Sequence, residues 1–201
     1  MKKYIIIILI SLLILTSFSA VLAQSNQEEL DINISTLNGI AYRKTEQGLF
    51  KFFRIKVWTR LLDNVDIKKG ETLKTAHNSL LSLDLGNNNK IEIKEDTVVS
   101  ISEDIKQNEQ ILSVKKGVLW VNSDINPDQE FNLEINTPQG ILNTTHAILE
   151  IEVIKNRTLI TVEKGEVMVT EKNTLEQKEL TAGQLVIIED NTIKKYEQLM
   201  G

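Results

Sequence analysis

The residues of this chain that could do chemistry are two histidines, several clustered carboxylates and two tryptophans. His146 follows Thr144 and Thr145, so an imidazole stands beside two hydroxyls. That is the minimum for base-assisted attack by a threonine, but no oxyanion or acid motif accompanies it. His77 lies in Thr75-Ala76-His77-Asn78-Ser79, which reads as a solvated turn. Carboxylates come in groups: Asp63 with Asp66, Glu92 with Glu95 and Asp96, and Glu150 with Glu152. Alternate carboxylates on a strand share its outer face, and hydration accounts for them. The closest approach to a calcium loop is Asp124-Ile125-Asn126-Pro127-Asp128, which lacks the dense oxygen cluster such a loop needs. A phosphate-cradling glycine loop, a paired-histidine metal motif and a nucleophile elbow are all missing. With no cysteine there is no thiolate metal site, disulfide or cysteine nucleophile. The chain is therefore expected to be non-enzymatic, with no cofactor and no metal.

The aromatic residues suggest contact instead. Trp58 falls out of phase with Phe53, Ile55 and Val57. It either plugs the edge of a sheet beneath the loop that follows, or joins Phe50 and Phe52 in an exposed binding surface. Trp120, in phase with Val118, is expected in the core. The net charge of −5 and the lack of a basic block exclude nucleic acid as a partner, because such binding rests on phosphate neutralisation.

The N-terminus reads MKKYIIIILISLLILTSFSAVLA: two lysines, an apolar run, then small residues ending at Ala23. This is the layout of a secretory signal peptide cut after Ala23. An uncleaved anchor is the rival reading, since Tyr4 to Ala23 could just span a bilayer. With cleavage no membrane span remains, and the protein is expected to be secreted or periplasmic, in the cell envelope. No cysteine follows the signal to carry a lipid. Residues 24–35 are expected to be a flexible lead, 36–193 one β domain and 194–201 a tail.

The elements that must position these residues are strands. Leu81, Leu83 and Leu85 alternate with Ser82 and Asp84, and Leu149, Ile151 and Val153 alternate with Glu150 and Glu152. Period two gives each run one apolar and one wet face. Gly86 to Asn89 and Lys155-Asn156-Arg157 read as hairpin turns, Asn122 to Gln129 as a longer loop, and Asn173 to Lys178 as a loop or one helical turn. The end of the chain, Ile193 to Leu199, is the one mature stretch that is a candidate for a short helix. The expected fold is all-β, with many short strands in a sandwich, a roll or an irregular β-solenoid. Two phrases nearly repeat: VKKGVLWVN, with Gly117, and VEKGEVMVT, with Gly165. Glycine tolerates positive φ, so each phrase is expected to end one strand and begin the next. Gly70 and Gly183 punctuate similar phrases, but the spacing drifts too much for a strict repeat.

The phrases VWTRLLDNVDIKKGETLKT, NSLLSLDLGNNNKIEIKEDTVVSI, VKKGVLWVN, NTPQGILNTTHAILEIEV with TLITVEKGEVMV, and LTAGQLVII together resemble the FecR domain. The matching positions of the first are Trp58, Leu61 or Leu62, Ile67, Gly70, Glu71, Leu73 and Thr75. Two departures stand out: Gly86-Asn87-Asn88-Asn89 replaces an Asp-Gly turn, and Asn143 to Ala147 replaces a Gly-Thr-x-Phe phrase. The resemblance implies an all-β extracytoplasmic module that binds or senses an envelope protein or a cell-wall polymer. Its best-known members are transmembrane regulators that relay the state of an iron-siderophore receptor to a cytoplasmic sigma factor. Only Met1 to Tyr4 precede the apolar run here, so that relay is not expected to carry over. The alternatives are a carbohydrate- or peptidoglycan-binding envelope protein and a structural scaffold.

Overall fold

The computed structural model describes residues 32–50, 53–63, 65–86, 89–102, 109–123 and 132–197. The stretch read as a signal segment, Phe52 and the Asp124–Asp128 loop lie outside them. Among the described residues every regular element is a strand, as the alternation requires.

The strands form two layers. The front sheet begins with β1 (Asn33–Asn38), β5 (Leu80–Asp84) and β6 (Lys90–Ile93). It continues through the second half of β8 (Glu109–Asn122), then β11 (Ala147–Ile154) and the first half of β12 (Arg157–Glu171). It ends with β14 (Gln184–Glu189) and β15 (Thr192–Glu197). The back sheet runs from β3 (Phe53–Arg60) through β2 (Ala41–Phe50), β4 (Thr72–Thr75) and β7 (Val98–Ile101) to the first half of β8. A parallel pairing joins β8 to β9 (Asn132–Asn136). β10 (Gly140–Thr144), the second half of β12 and β13 (Gln177–Thr181) complete it. The layers turn one face each into a common core. Leu81, Leu83, Leu119, Val121, Leu149, Ile151 and Ile160 come from the front, and Leu73, Val99, Leu112, Ile135, Leu142 and Val169 from the back.

The repeated glycine phrases are the corners between the layers. β8 and β12 do not stop at Gly117 and Gly165; each runs on without a break, so the expectation of two strands meeting there is corrected. Val98 pairs with Lys116 while Val99 pairs with Val114, which makes Lys115 an extra residue. Ile148 pairs with Lys164 while Leu149 pairs with Val162, which does the same for Glu163. A bulge shifts the alternation by one and bends the strand. The buried set therefore changes from Leu112 and Val114 to Leu119 and Val121, and from Ile160 and Val162 to Val167 and Val169. Two residues after each bulge the glycine takes φ +92 or +80 and the chain crosses to the other sheet. Strands that change sheets at such bends are a known way to make the corners of a two-layer fold.

This parity shift also moves Trp120. It lies half-buried on the outer face of the front sheet, between Glu92 and Glu150, and not in the core. The end of the chain departs from expectation as well. Asp190 and Asn191, with φ of 51 and 59, form a two-residue hairpin turn, so residues 192–197 are strand rather than helix. At the other end β1 begins at Asn33, inside the stretch expected to be a loose lead. β5 and β6 pair as a hairpin with the Asn89 N–H bonded to the Gly86 carbonyl, and Lys155-Asn156 forms a turn, both where the sequence places them.

Candidate functional site

Where a strand leaves its ladder at a corner, its backbone groups need other partners. Threonines supply them. At the first corner Thr75 and Thr97 are fully buried. The Thr75 hydroxyl donates to the Lys94 carbonyl and accepts from the Thr97 N–H. The Thr97 hydroxyl in turn accepts from the Val118 N–H at 2.8 Å. At the second corner the Thr144 hydroxyl donates to the Glu166 carbonyl at 2.7 Å. Thr75 and Thr97, which both lie in the phrases that carry the resemblance, are thus structural.

These corners leave β2 and β3 as a projecting ribbon. β4 pairs with β2 only from Ala41 to Lys44. Beyond that, β2 pairs with β3 alone among the described residues, as far as Phe50 opposite Phe53. Among the described residues β3 is the last strand of the back sheet. Trp58 lies on its outer face with 43% of its surface exposed. Lys44, directly opposite, places its ammonium 5.8 Å from the centre of the indole ring, a cation–π contact. Of the three aromatic residues read as a binding surface, the structure therefore sets Trp58 in the open and places the backbone of Phe50 near the ribbon's tip.

At the inner side of the ribbon's base, Arg43 lies 3.5 Å from Glu71 and also reaches the Asp66 carbonyl. Burial raises the Glu71 pKa above 4.5, and Arg43 only partly offsets this. Glu171 is the opposite case. It is 1% exposed, and its carboxylate accepts the Thr174 N–H and hydroxyl together with the Asn173 N–H and side-chain amide. Those bonds, led by the Thr174 N–H, hold its pKa below 4.5 against the effect of burial. They also tie the turn at 172–176 to the end of β12.

The remaining reactive residues scatter. Thr145 and His146 stand exposed at the second corner, with hydroxyl and Nδ1 3.1 Å apart, while the Thr144 hydroxyl is committed to the backbone. At the first corner the His77 Nδ1 lies 3.0 Å from Glu95 and 3.1 Å from Asp96. Three ligand atoms converge there, all exposed, in the arrangement an imidazolium between two carboxylates also takes. A hollow of about 230 Å³ lies over the β8–β9 seam, lined by Ser113, Lys115, Asn136, Thr137 and Lys172. The sequence reading missed the row Trp120, Glu150, Thr161, Leu185 and Tyr196 on the outer front sheet. Only the strand register puts these residues side by side.

Residues 71–168 match the model of the family described as FecR protein. The resemblance carried by the glycine phrases therefore holds over that segment, which contains the first corner, the hairpin β5–β6 and the bent strand β8. The fold is similar to two crystal structures of a "putative anti-sigma factor" from Parabacteroides distasonis ATCC 8503. Each has a TM-score of 0.54, at 13% and 12% identity. Each likeness covers 63% of this chain and 59% of the other. No curated protein is matched.

Proposed function

We propose that this chain is an extracytoplasmic, non-enzymatic module that senses or docks to another protein of the cell envelope through the β2–β3 ribbon. The observation that carries the reading is Trp58: a large indole, exposed on the outermost strand of the sheet, on a ribbon that leans on its neighbours only at its base. Exposed aromatics at a sheet edge mark contact surfaces. The FecR match and the regulator-like name of the structural neighbours support a role in signalling. The export signal in the sequence supports the location. The absence of enzymatic activity is inferred from Thr144 being bonded to backbone and from Thr145 and His146 standing alone in solvent. A glycan-binding role would want aromatic rings lining a groove, and Trp58 sits on an open ribbon.

The test is a photo-crosslinking residue placed at position 58 and, as a control, at Leu185 on the other sheet, in cells that make the protein naturally. The expected result is one discrete protein adduct from position 58 and none from 185. Equal diffuse labelling from both, or capture of cell-wall glycan alone, would refute the reading. Sequencing of the purified protein is expected to begin at Gln24; a start at Met1 would refute cleavage.

A further inference from the structure

We propose that the outer edge of β3 receives one more strand, donated by an extended, carboxylate-rich segment of the partner; this rests on the ribbon being the contact site. The Leu61 N–H bonds the Ala41 carbonyl at 2.8 Å, which fixes the alternation of the ladder. The main-chain groups of Thr59 and Val57 turn toward β2, and those of Arg60 and Trp58 turn toward the open side. The other sheet edges are blunted in ways that discourage pairing. β1 is bulged between Ile34 and Thr36. β13 has only five residues. β15 carries Lys194 and Lys195 in a strand of six. β3 is longer, at eight residues, and from Arg54 to Arg60 its register is unbroken.

Charge selects what can occupy this edge. The β3 sequence holds Arg54, Lys56 and Arg60 and no acid, in a chain whose net charge is −5, and the one acid of β2, Glu46, stands opposite Lys56. On the same outer face Lys44 stands opposite Trp58, and Lys74 stands one strand further in, opposite Tyr42. A second copy presenting its own β3 would set like charges across from one another, which is destabilising. A strand with glutamate or aspartate at alternate positions reverses the sign. Its carboxylates lie over the cationic face, and its other side chains lie against the inner face. In such strand addition the main-chain bonds supply affinity and the alternate side chains supply selection.

The probe is a labelled synthetic peptide of alternating glutamate and threonine, matched in length to β3, with a lysine-for-glutamate peptide as control. Binding to the full chain is followed by fluorescence anisotropy. The glutamate peptide is expected to bind about tenfold tighter or more, and less tightly as salt rises. Trp58→Pro removes an outward N–H without touching the β2 ladder, as proline can at a sheet edge. It is expected to abolish binding while thermal unfolding stays near the parent's; Arg60→Pro is the second such variant if the first unfolds. Arg60→Glu with Lys44→Glu is expected to shift preference toward the lysine peptide. Undiminished binding by a folded proline variant would overturn strand addition and leave a charge-only surface. Failure of both peptides, or self-association through β3, would overturn the acidic strand. If the crosslink from position 58 still captures an envelope protein in that case, the ribbon reading survives and only this proposal falls.

Discussion

A single methyl group at residue 117 or 165 is the smallest change that tests the corners. A Cβ on Gly165 would approach the Ala147 Cα to 2.9 Å and crowd the His146 carbonyl, and one on Gly117 would meet the Thr97 backbone. Both sites also need positive φ, where a side chain costs about 1–3 kcal/mol. Gly117→Ala and Gly165→Ala are expected to lose at least that, seen as a melting temperature lower by roughly 2–12 °C. Thr97→Val leaves the part-buried Val118 N–H without its acceptor and is expected to cost about 1–3 kcal/mol. Loss of less than 0.5 kcal/mol (roughly, the surface-mutation range) in both glycine variants would refute the corner assignment. The two glutamates give tests of opposite sign. The folded-state pKa of Glu171 is lowered, so its stabilisation is present above 4.5 and lost as pH falls through the folded value. That of Glu71 is raised, so its contribution is present below 4.5 and lost as pH rises through the folded value. In denaturant titrations from pH 3 to 7 (roughly the carboxylate range), Glu171→Gln is expected to lose stability relative to the parent as pH rises, and Glu71→Gln to gain it. Parallel curves would refute both assignments.

Elements differ in how much of the fold depends on them, and the β2–β3 ribbon carries little beyond itself. Replacing residues 46–56 by a two-residue Asn-Gly turn keeps Thr45 opposite Val57 and, with it, the paired base at Ala41–Lys44 and Val57–Arg60. The shortened protein is expected to melt within a few degrees of the parent while losing crosslinking at position 58. A large destabilisation would mean that the ribbon is a structural member and not a contact arm. Strand identity was legible in the sequence because burial on one face leaves period two in the side chains. The turns at Gly86–Asn89 and Lys155-Asn156 were legible from their residue types. The last hairpin was not. Its turn, Asp190-Asn191, separates QLVIIE from TIKKYE, and the charges of the second strand obscured an alternation that keeps Ile193 buried. Trp120 was misplaced for another physical reason. One bulged lysine inverts every side chain after it, and nothing in composition announces a bulge. Trp58 could be singled out from its phase, but a plug beneath the following loop and an exposed surface both fitted that phase, and only the place of β3 at the end of the sheet decides between burial and exposure.

At the scale of the molecule, β8 and β12 each belong to both layers, and that sets how the protein comes apart. Lys116 is paired in the back sheet and Gly117 in the front; Gly165 is paired in the front and Glu166 in the back. Freeing either sheet would tear both strands out of the other and expose a core drawn from both faces. Partial unfolding would therefore uncover apolar surface with no compensating gain in disorder elsewhere, the condition under which small domains unfold all-or-none. Trp120 reports on the front sheet and Trp58 on the ribbon, and they are the only two tryptophans. In a Trp58→Phe variant, fluorescence follows the front sheet alone and far-ultraviolet circular dichroism follows both. The two denaturation curves are expected to coincide in midpoint and slope. Refolding is expected in milliseconds to seconds or slower, because strands paired across such long sequence separations must close large loops first. A fluorescence transition that precedes or trails the dichroism would mean that the layers are independent, and that the bends at Gly117 and Gly165 are joints rather than ties.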